Sequence, residues 1–209
     1  MNPDRPYAAF FYGTLMHPEI LKRVIGNDGT HLKICSAILL DHTRHQIKHA
    51  DYPAVIPYSK SKSLFNRELS PEDKSVRGSL VTGLSESDVQ LLDVFEGDYT
   101  RDLVPVHPIS PYSTLAPHPP GAHQNQSIPA AVPHTHSPST LPRPILAHTY
   151  VWCQPVQQLA PRLWSFDDFV NNSAWKWVGV GASGNTEYKE VDKRRERGGF
   201  ITRCGDHKI

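Results

Sequence analysis

The sequence lacks the features that define several large classes of protein. No run approaches the roughly 18 apolar residues of a membrane span, and Met1 to Pro6 has no apolar stretch typical of a secretory signal. The 22 Lys and Arg against 21 Asp and Glu give a net charge of +1, so charge offers no argument for nucleic-acid or membrane partners. Three widely separated cysteines argue against a disulfide framework. We therefore expect a cytoplasmic chain without such partners, while its oligomeric state stays open.

Proline, in contrast, is abundant and concentrated in one place. Residues 108–144 hold 10 of the 19 prolines, four histidines and no Asp, Glu or Lys. Such a stretch has little to bury and lacks a backbone donor at every proline, so it should not form a packed core. We predict one domain over residues 7–177, interrupted by a disordered Pro/His-rich insert at 108–144 and followed by a charged tail at 178–209.

Apolar patterning and turn residues predict an α+β domain. Five strands are expected: Tyr7–Tyr12, Ile34–Leu40, Val76–Leu84, Leu103–Val106 and Ile145–Cys153. Prolines bracket a sixth extended piece, Pro53–Pro57, which favours an edge position. Helices are expected at Pro18–Ile25, between a Ser85 N-cap and Gly97, and at Trp164–Trp177. Residues 41–50 are ambiguous, and 60–74 are predicted to form a loop.

The first candidate site segment is a strand that runs into a glycine turn, Phe10 to Leu15. A short helix follows closely, beginning at Pro18. Consecutive backbone N–H groups in such a turn can converge on a carboxylate or an oxyanion. An ordinary glycine at the end of a strand explains the same pattern, so these residues alone leave both interpretations open.

The second candidate is the segment Leu92–Gly97, LDVFEG. Glu96 falls at the C-terminal end of the predicted helix, where the helix dipole disfavours a negative charge. If Phe95 and the aromatic first strand also desolvate it, its pKa should rise, which suits a general base. A solvated glutamate before a capping glycine is the alternative.

In this order and spacing, the two segments resemble the γ-glutamylcyclotransferase-like superfamily, and in particular its avirulence-induced-gene-like branch. Tyr-Gly-Thr-Leu at 12–15 and Leu-Asp-Val-Phe-Glu-Gly at 92–97 carry the resemblance. Other pieces agree with it: Met16–Leu21, Tyr52–Val55, Val76–Leu80, Tyr99–Arg101 and Ala147–Trp152. The resemblance covers residues 7–107 and 145–177.

The resemblance implies a small mixed β-barrel flanked by helices and an enzyme that forms 5-oxoproline, either as an acyltransferase or a lyase. In the family, the α-amine of a γ-glutamyl group attacks its own side-chain carbonyl and expels an amine or amino acid. It implies Glu96 as the general acid/base, no metal and no organic cofactor. Four residues would hold the α-amino-acid end of this small γ-glutamyl substrate through backbone N–H groups: Tyr12, Gly13, Thr14 and Leu15.

The sequence leaves two other functions open. A non-catalytic binding module could keep the barrel and present the insert to partners, because segments such as Pro117–Pro120 can adopt polyproline II. An acyltransferase could pass the γ-glutamyl group to another acceptor. The sequence does not name the leaving group. It also has only Asp98 between Gly97 and Tyr99, where the family commonly has two residues, so the resemblance assigns no role to Tyr99.

Other patterns favour structural explanations. Gly179–Gly184 matches a dinucleotide-binding pattern without the βαβ unit that it needs, so we predict a turn. Lys193–Arg197 is predicted to be a solvated tail, and Cys35 and Cys153 to be buried apolar residues. A strand or surface position is expected, rather than a metal site, for three histidines: His42, His45 and His49.

Overall fold

The computed structural model describes residues 6–115, 140–178, 184–185, 188–189 and 192–193. Over these residues it contains nine strands: β1 Tyr7–Phe11, β2 Lys33–Leu40, β3 His42–Ile47, β4 Pro53–Pro57, β5 Ser75–Leu84, β6 Tyr99–Pro108, β7 Ser113–Thr114, β8 Ile145–Trp152 and β9 Leu159–Leu163. The α-helices of this part are α1 Pro18–Ile25, α2 Tyr58–Ser61, α3 Glu86–Phe95 and α4 Phe166–Asn172. Short 3₁₀ turns lie at Thr14–Met16, Lys62–Leu64, Val156–Gln158 and Ala174–Lys176.

Five strands close into a barrel in the order β5-β1-β8-β6-β2, and β2 pairs back onto β5. The β1–β8 pair is parallel and the other neighbours are antiparallel, which confirms the predicted mixed barrel. Closure pairs the strand edges that an open sheet would expose. Large inward side chains fill the interior, among them Phe10, Leu39, Leu80, Val104 and Val106.

Helices α1, α3 and α4 pack on the outside of the barrel, where they bury their apolar residues in one cluster with Phe11 and Val81. The cap predicted for α3 is present: the Ser85 hydroxyl accepts from the Asp88 N–H at 3.1 Å, and the Asp88 carboxylate accepts from the Ser85 N–H at 2.9 Å. Such reciprocal bonds satisfy N–H groups at the helix start that have no intrahelical acceptor. They fix where α3 begins.

A second, three-stranded sheet has the order β4-β3-β9. It confirms the edge position predicted for Pro53–Pro57, and it places the ambiguous residues 41–50 largely in β3. No pattern in the sequence predicted β9. Pro161 interrupts its apolar pattern, and proline is tolerated there because β9 is itself an edge strand.

The last predicted helix is shorter than expected. The Ser165 hydroxyl caps α4 by accepting from the Asp168 N–H, but the helix ends at Asn172, and a 3₁₀ turn at Ala174–Lys176 replaces its continuation. Asparagine and serine at 171–173 compete with the helical backbone for hydrogen bonds, which accounts for the early end. No helix in the described residues is long and apolar enough to cross a membrane.

Ordered structure extends into the predicted insert. The Ile109 N–H donates to the Ser36 carbonyl at 2.9 Å, β7 pairs with Lys33 and Ile34 of β2, and the side chain of Leu115 is only 5% exposed. Backbone pairing with β2 orders this stretch despite its composition. Residues 116–139 of the predicted insert lie outside the described residues.

Candidate active site

The turn after β1 is built by backbone hydrogen bonds. The Met16 N–H donates to the Gly13 carbonyl at 3.0 Å and the His17 N–H to the Thr14 carbonyl at 3.0 Å. Pro18 then begins α1 at a position where a missing N–H has no consequence. Carbonyls are thus used within the turn, whereas the Gly13 N–H donates to no residue in the described part of the chain. The turn therefore has a donor available for a ligand.

Position 13 requires glycine because a neighbouring residue leaves no room for a side chain, and not because the backbone has an unusual φ. Its φ is −132°, which lies outside the left-handed region that favours glycine. A Cβ atom at this position would lie 2.8 Å from Cγ and 2.9 Å from Cδ of Pro53. The first residue of β4 therefore packs directly against the turn, and a larger side chain at 13 would push the two apart.

Glu96 lies where the sequence predicted, at the end of α3. It is the C-capping residue, its N–H donates to the Leu92 carbonyl at 3.0 Å, and its own carbonyl accepts from the Tyr99 N–H at 3.0 Å. These bonds fix its backbone on both sides. The side chain is partly buried, so the carboxylate is held at the negative end of the helix dipole.

One cleft brings the two predicted segments together. Glu96 and the turn residues Tyr12, Gly13, Thr14 and Leu15 all line it. About 670 Å³ of empty space lies between its walls, a figure that includes open solvent. Other residues of the two predicted segments also line it, namely Phe10, Phe11, Phe95 and Gly97. The wall residues outside those segments are Tyr52, Pro53, Asp98, Tyr99, Tyr150 and Trp177.

Three phenols in the cleft donate their protons to protein acceptors. The Tyr12 hydroxyl donates to the Tyr150 carbonyl, the Tyr99 hydroxyl to the Pro53 carbonyl at 2.8 Å, and the Tyr150 hydroxyl to an Asp93 carboxylate oxygen at 2.8 Å. Because each O–H is already used, the remaining lone pairs of the phenol oxygens are acceptors. The cleft thus combines a carboxylate with phenolic acceptors, a set suited to a substrate ammonium.

Burial keeps these phenols protonated. It raises the pKa of Tyr12 and of Tyr99 well above the ordinary value, and the negative charge of Glu96 raises both further. The pKa of Tyr150 is raised in the same way, by burial and then by the charges of Asp93 and Glu96. Glu96 is therefore within electrostatic reach of all three phenols.

Aromatic rings form the wall of the cleft beside Glu96. The ring of Trp177 meets those of Tyr52 and Phe95 edge to face, with centroids 6.4 and 6.3 Å apart. The Tyr188 hydroxyl donates to the Trp177 carbonyl at 3.0 Å, so a residue of the predicted tail supports this wall. Tyr52 and Tyr150 lie within motifs quoted for the resemblance, but no pattern in the sequence pointed to Trp177.

The minor patterns have structural explanations where they are described. Cys35 is buried as predicted, and the Cys153 thiol, partly buried, donates to the Asp98 carbonyl at 3.2 Å. His42 and His45 lie in β3. Among the described residues, no cluster of three or more His, Cys, Asp or Glu could hold a metal ion. Most of the glycine pattern at 179–184 and the basic cluster at 193–197 lie outside these residues.

The fold and the cleft define a closed α+β barrel whose helix-end carboxylate faces a backbone turn. The chain belongs to the family described as gamma-glutamyl cyclotransferase, AIG2-like, whose model matches residues 9–169. No curated protein matches the chain significantly.

Among solved structures, the chain is similar to a solution structure from Arabidopsis thaliana, with 19% identity, coverage of 100% of this chain and 96% of that one, and a TM-score of 0.48. It is also similar to a crystal structure of a yeast gamma-glutamyl cyclotransferase specific to glutathione. That match has 13% identity, coverage of 92% of this chain and 97% of that one, and a TM-score of 0.44.

Proposed function

We propose that the protein is a γ-glutamyl cyclotransferase in which Glu96 is the general acid/base and the turn at 12–15 binds the α-amino-acid end of the substrate. The observation that carries the proposal is the meeting of these two segments in one cleft. Membership of the cyclotransferase family supports the reaction class. Because a carboxylate can also bind an ammonium, release of 5-oxoproline is what distinguishes the enzyme from a binding module.

The reaction is an intramolecular acyl transfer. The α-ammonium of the γ-glutamyl group gives a proton to Glu96, and the freed amine attacks the γ-carbonyl carbon. A new C–N bond closes the five-membered ring of 5-oxoproline, and the original amide C–N bond breaks. Glu96 gives its proton to the leaving nitrogen and takes up the second proton that the attacking nitrogen loses, which the departing amine then accepts, so one carboxylate serves as acid and base. Since both reacting groups belong to one molecule, the enzyme chiefly holds a conformer in which they meet.

The wall residues fit the parts of such a substrate. Backbone N–H groups of the turn bind the α-carboxylate, because neutral donors held by the fold stabilise an anion without requiring a lysine or arginine in the cleft. Phenol oxygens of Tyr12 and Tyr99 accept from the α-ammonium beside Glu96. The leaving group extends along the aromatic wall of Tyr52, Phe95 and Trp177. The chemistry requires neither a metal nor an organic cofactor.

The test is release of 5-oxoproline from a panel of γ-glutamyl amino acids, peptides and amines, measured by mass spectrometry with wild type and Glu96→Gln. The amide is nearly isosteric with the carboxylate but cannot accept the proton, so turnover should fall by at least ~10²–10⁴-fold. Glu86→Gln is the matched control, because Glu86 lies in the same helix but is exposed at its start. It should retain wild-type activity.

Folding is checked by thermal melting, which both variants should share with wild type. Activity near wild type in a folded Glu96→Gln variant would remove Glu96 from its role. Binding of γ-glutamyl compounds without release of 5-oxoproline by wild type would favour the binding module instead. Transfer of the γ-glutamyl group to an added amine would favour the acyltransferase.

A further inference from the structure

Arg44 of β3 lies behind the turn that lines the cleft. Its Nη1 donates to the Tyr12 carbonyl at 2.8 Å and to the Arg77 carbonyl at 3.2 Å. The guanidinium carbon lies 5.0 Å from the ring centroid of Trp164, within the distance of a cation–π contact. The arginine is therefore held against the backbone of the turn, outside the set of residues that line the cleft.

The hydrogen bond from Arg44 to the Tyr12 carbonyl determines the direction of the Gly13 N–H. The Tyr12 carbonyl and the Gly13 N–H belong to the same peptide group, and in a planar trans peptide they point in opposite directions. Because Arg44 binds the carbonyl, the Gly13 N–H points away from Arg44, and Gly13 itself lines the cleft. Within the described residues this N–H has no acceptor, so it is available to a ligand.

The charge of Arg44 strengthens that donor. A charged donor on the carbonyl polarises the peptide group, which makes its N–H a better hydrogen-bond donor. Both carbonyls that accept from the guanidinium are neutral, and the negative charge of Asp167 helps to keep it protonated. Burial lowers the pKa of Arg44 to about 10, which still leaves it charged at neutral pH.

We propose that Arg44 is a positioning residue that aims and polarises the Gly13 N–H, and that it thereby selects substrates with a free α-carboxylate. The inference rests on the proposed function, because it names the part of a γ-glutamyl substrate that the turn recognises. Arg44 acts through the peptide group between residues 12 and 13 and does not touch the substrate. An α-carboxamide offers a neutral oxygen in place of the anion and gains little from this arrangement.

The experiment compares one γ-glutamyl substrate with its α-carboxamide in wild type, Arg44→Met and Arg44→Lys. Arg162→Met is the control: Arg162 is an exposed arginine of β9, in the same sheet as β3. In Arg44→Met, kcat/KM for the carboxylate substrate should fall at least tenfold, mainly through KM, and that for the carboxamide less than threefold. Arg44→Lys, which keeps the charge, should recover part of the selectivity. Arg162→Met should leave it unchanged.

A purely structural role predicts something different. If Arg44 only stabilised the fold, both substrates would lose activity in equal proportion, and that result would overturn the proposal. Unchanged selectivity in Arg44→Met would overturn it too. Should Arg44→Met not fold, Arg44→Lys decides alone, since it must keep a preference for the carboxylate that is weaker than in wild type.

Binding measurements separate this proposal from the reaction itself. Calorimetric titration with 5-oxoproline and with its carboxamide uses two probes that differ only at the carboxyl group. Wild type should bind the carboxylate more tightly, and Arg44→Met should lose that difference. If wild type turns over no γ-glutamyl compound but prefers the carboxylate probe, and Arg44→Met loses that preference, the proposed function fails and the role of Arg44 stands. If wild type binds both probes equally or neither, the role of Arg44 is refuted.

Discussion

Leu115 should contribute substantially to stability, although it lies in a stretch whose composition predicts disorder. Its side chain is 5% exposed and packs onto Gly29 so closely that a Cβ there would lie 2.7 Å from Leu115 Cδ2. The Leu115 N–H also donates to the Leu32 carbonyl at 3.3 Å. Replacing a leucine in such a site by alanine removes its buried methyl groups and leaves a cavity.

The expected cost of Leu115→Ala follows from that burial. Leucine-to-alanine changes in cores reduce the free energy of unfolding by about 2–5 kcal/mol. For a chain of this length each kcal/mol lowers the melting temperature by about 2–4 °C, so a drop of roughly 4–20 °C is expected. Urea unfolding measures the free energy, and differential scanning fluorimetry the melting temperature.

Leu146→Ala is the matched control, because it makes the same chemical change at a side chain that is 63% exposed. It should alter the free energy of unfolding by no more than about 0.5 kcal/mol. If the Leu115 and Leu146 variants unfolded alike, residues 109–115 would contribute no packing, and the reasoning from burial would be refuted. Deletions give the same comparison: removal of 110–141 takes away β7 and Leu115 and should destabilise more than removal of 116–139.

Two further predictions concern residues inside the fold. Gly13→Val should abolish activity and lower stability, because its Cβ would meet the Pro53 ring at 2.8 Å; steady-state kinetics and thermal melting test this, and normal substrate binding would contradict it. His45 is fully buried, and burial lowers its pKa while its Nδ1 donates to the Ala160 carbonyl. Near and below its ordinary pKa of about 6.5 the unfolded state binds more protons than the folded state, so the free energy of unfolding should fall as the pH is lowered, by at most about 1.4 kcal/mol per pH unit. Urea unfolding between pH 7 and 5.5 should show this slope in wild type and a shallower one in His45→Asn.

The sequence predicted the elements whose ends are set by nearby capping residues. Pro18 and Gly26 mark the two ends of α1, and Gly26 adopts the left-handed conformation expected of a C-capping glycine, with φ 71°. The Ser85–Asp88 capping box does the same for the start of α3. In contrast, β9 is held by its pairing with β3. Nothing in its own residues reveals that partner, so the sequence alone could not predict it.

The candidate site likewise contains residues that the sequence could reveal and residues that it could not. Glu96 and the turn could be found because each is a short motif that carries its own chemistry. Trp177 could not be found, because its place in the cleft depends on contacts with Phe95 and Tyr52, which are distant in sequence. The role proposed for Arg44 likewise requires knowing that β3 passes behind the turn. The role of a side chain that depends on contacts with residues distant in sequence produces no local sequence motif.

The lengths of two elements explain why motifs some eighty residues apart meet. β1 and β5 are antiparallel, with Tyr7 paired to Leu84, so α3 begins near the start of β1 and runs back alongside it. The ten residues of α3 rise about 15 Å, and the five residues of β1 extend about 16 Å. Both elements therefore end at the same level, where Glu96 follows α3 and the glycine turn follows β1. The cap at Ser85 thus helps to set the position of the carboxylate, since it fixes the point from which this distance is measured.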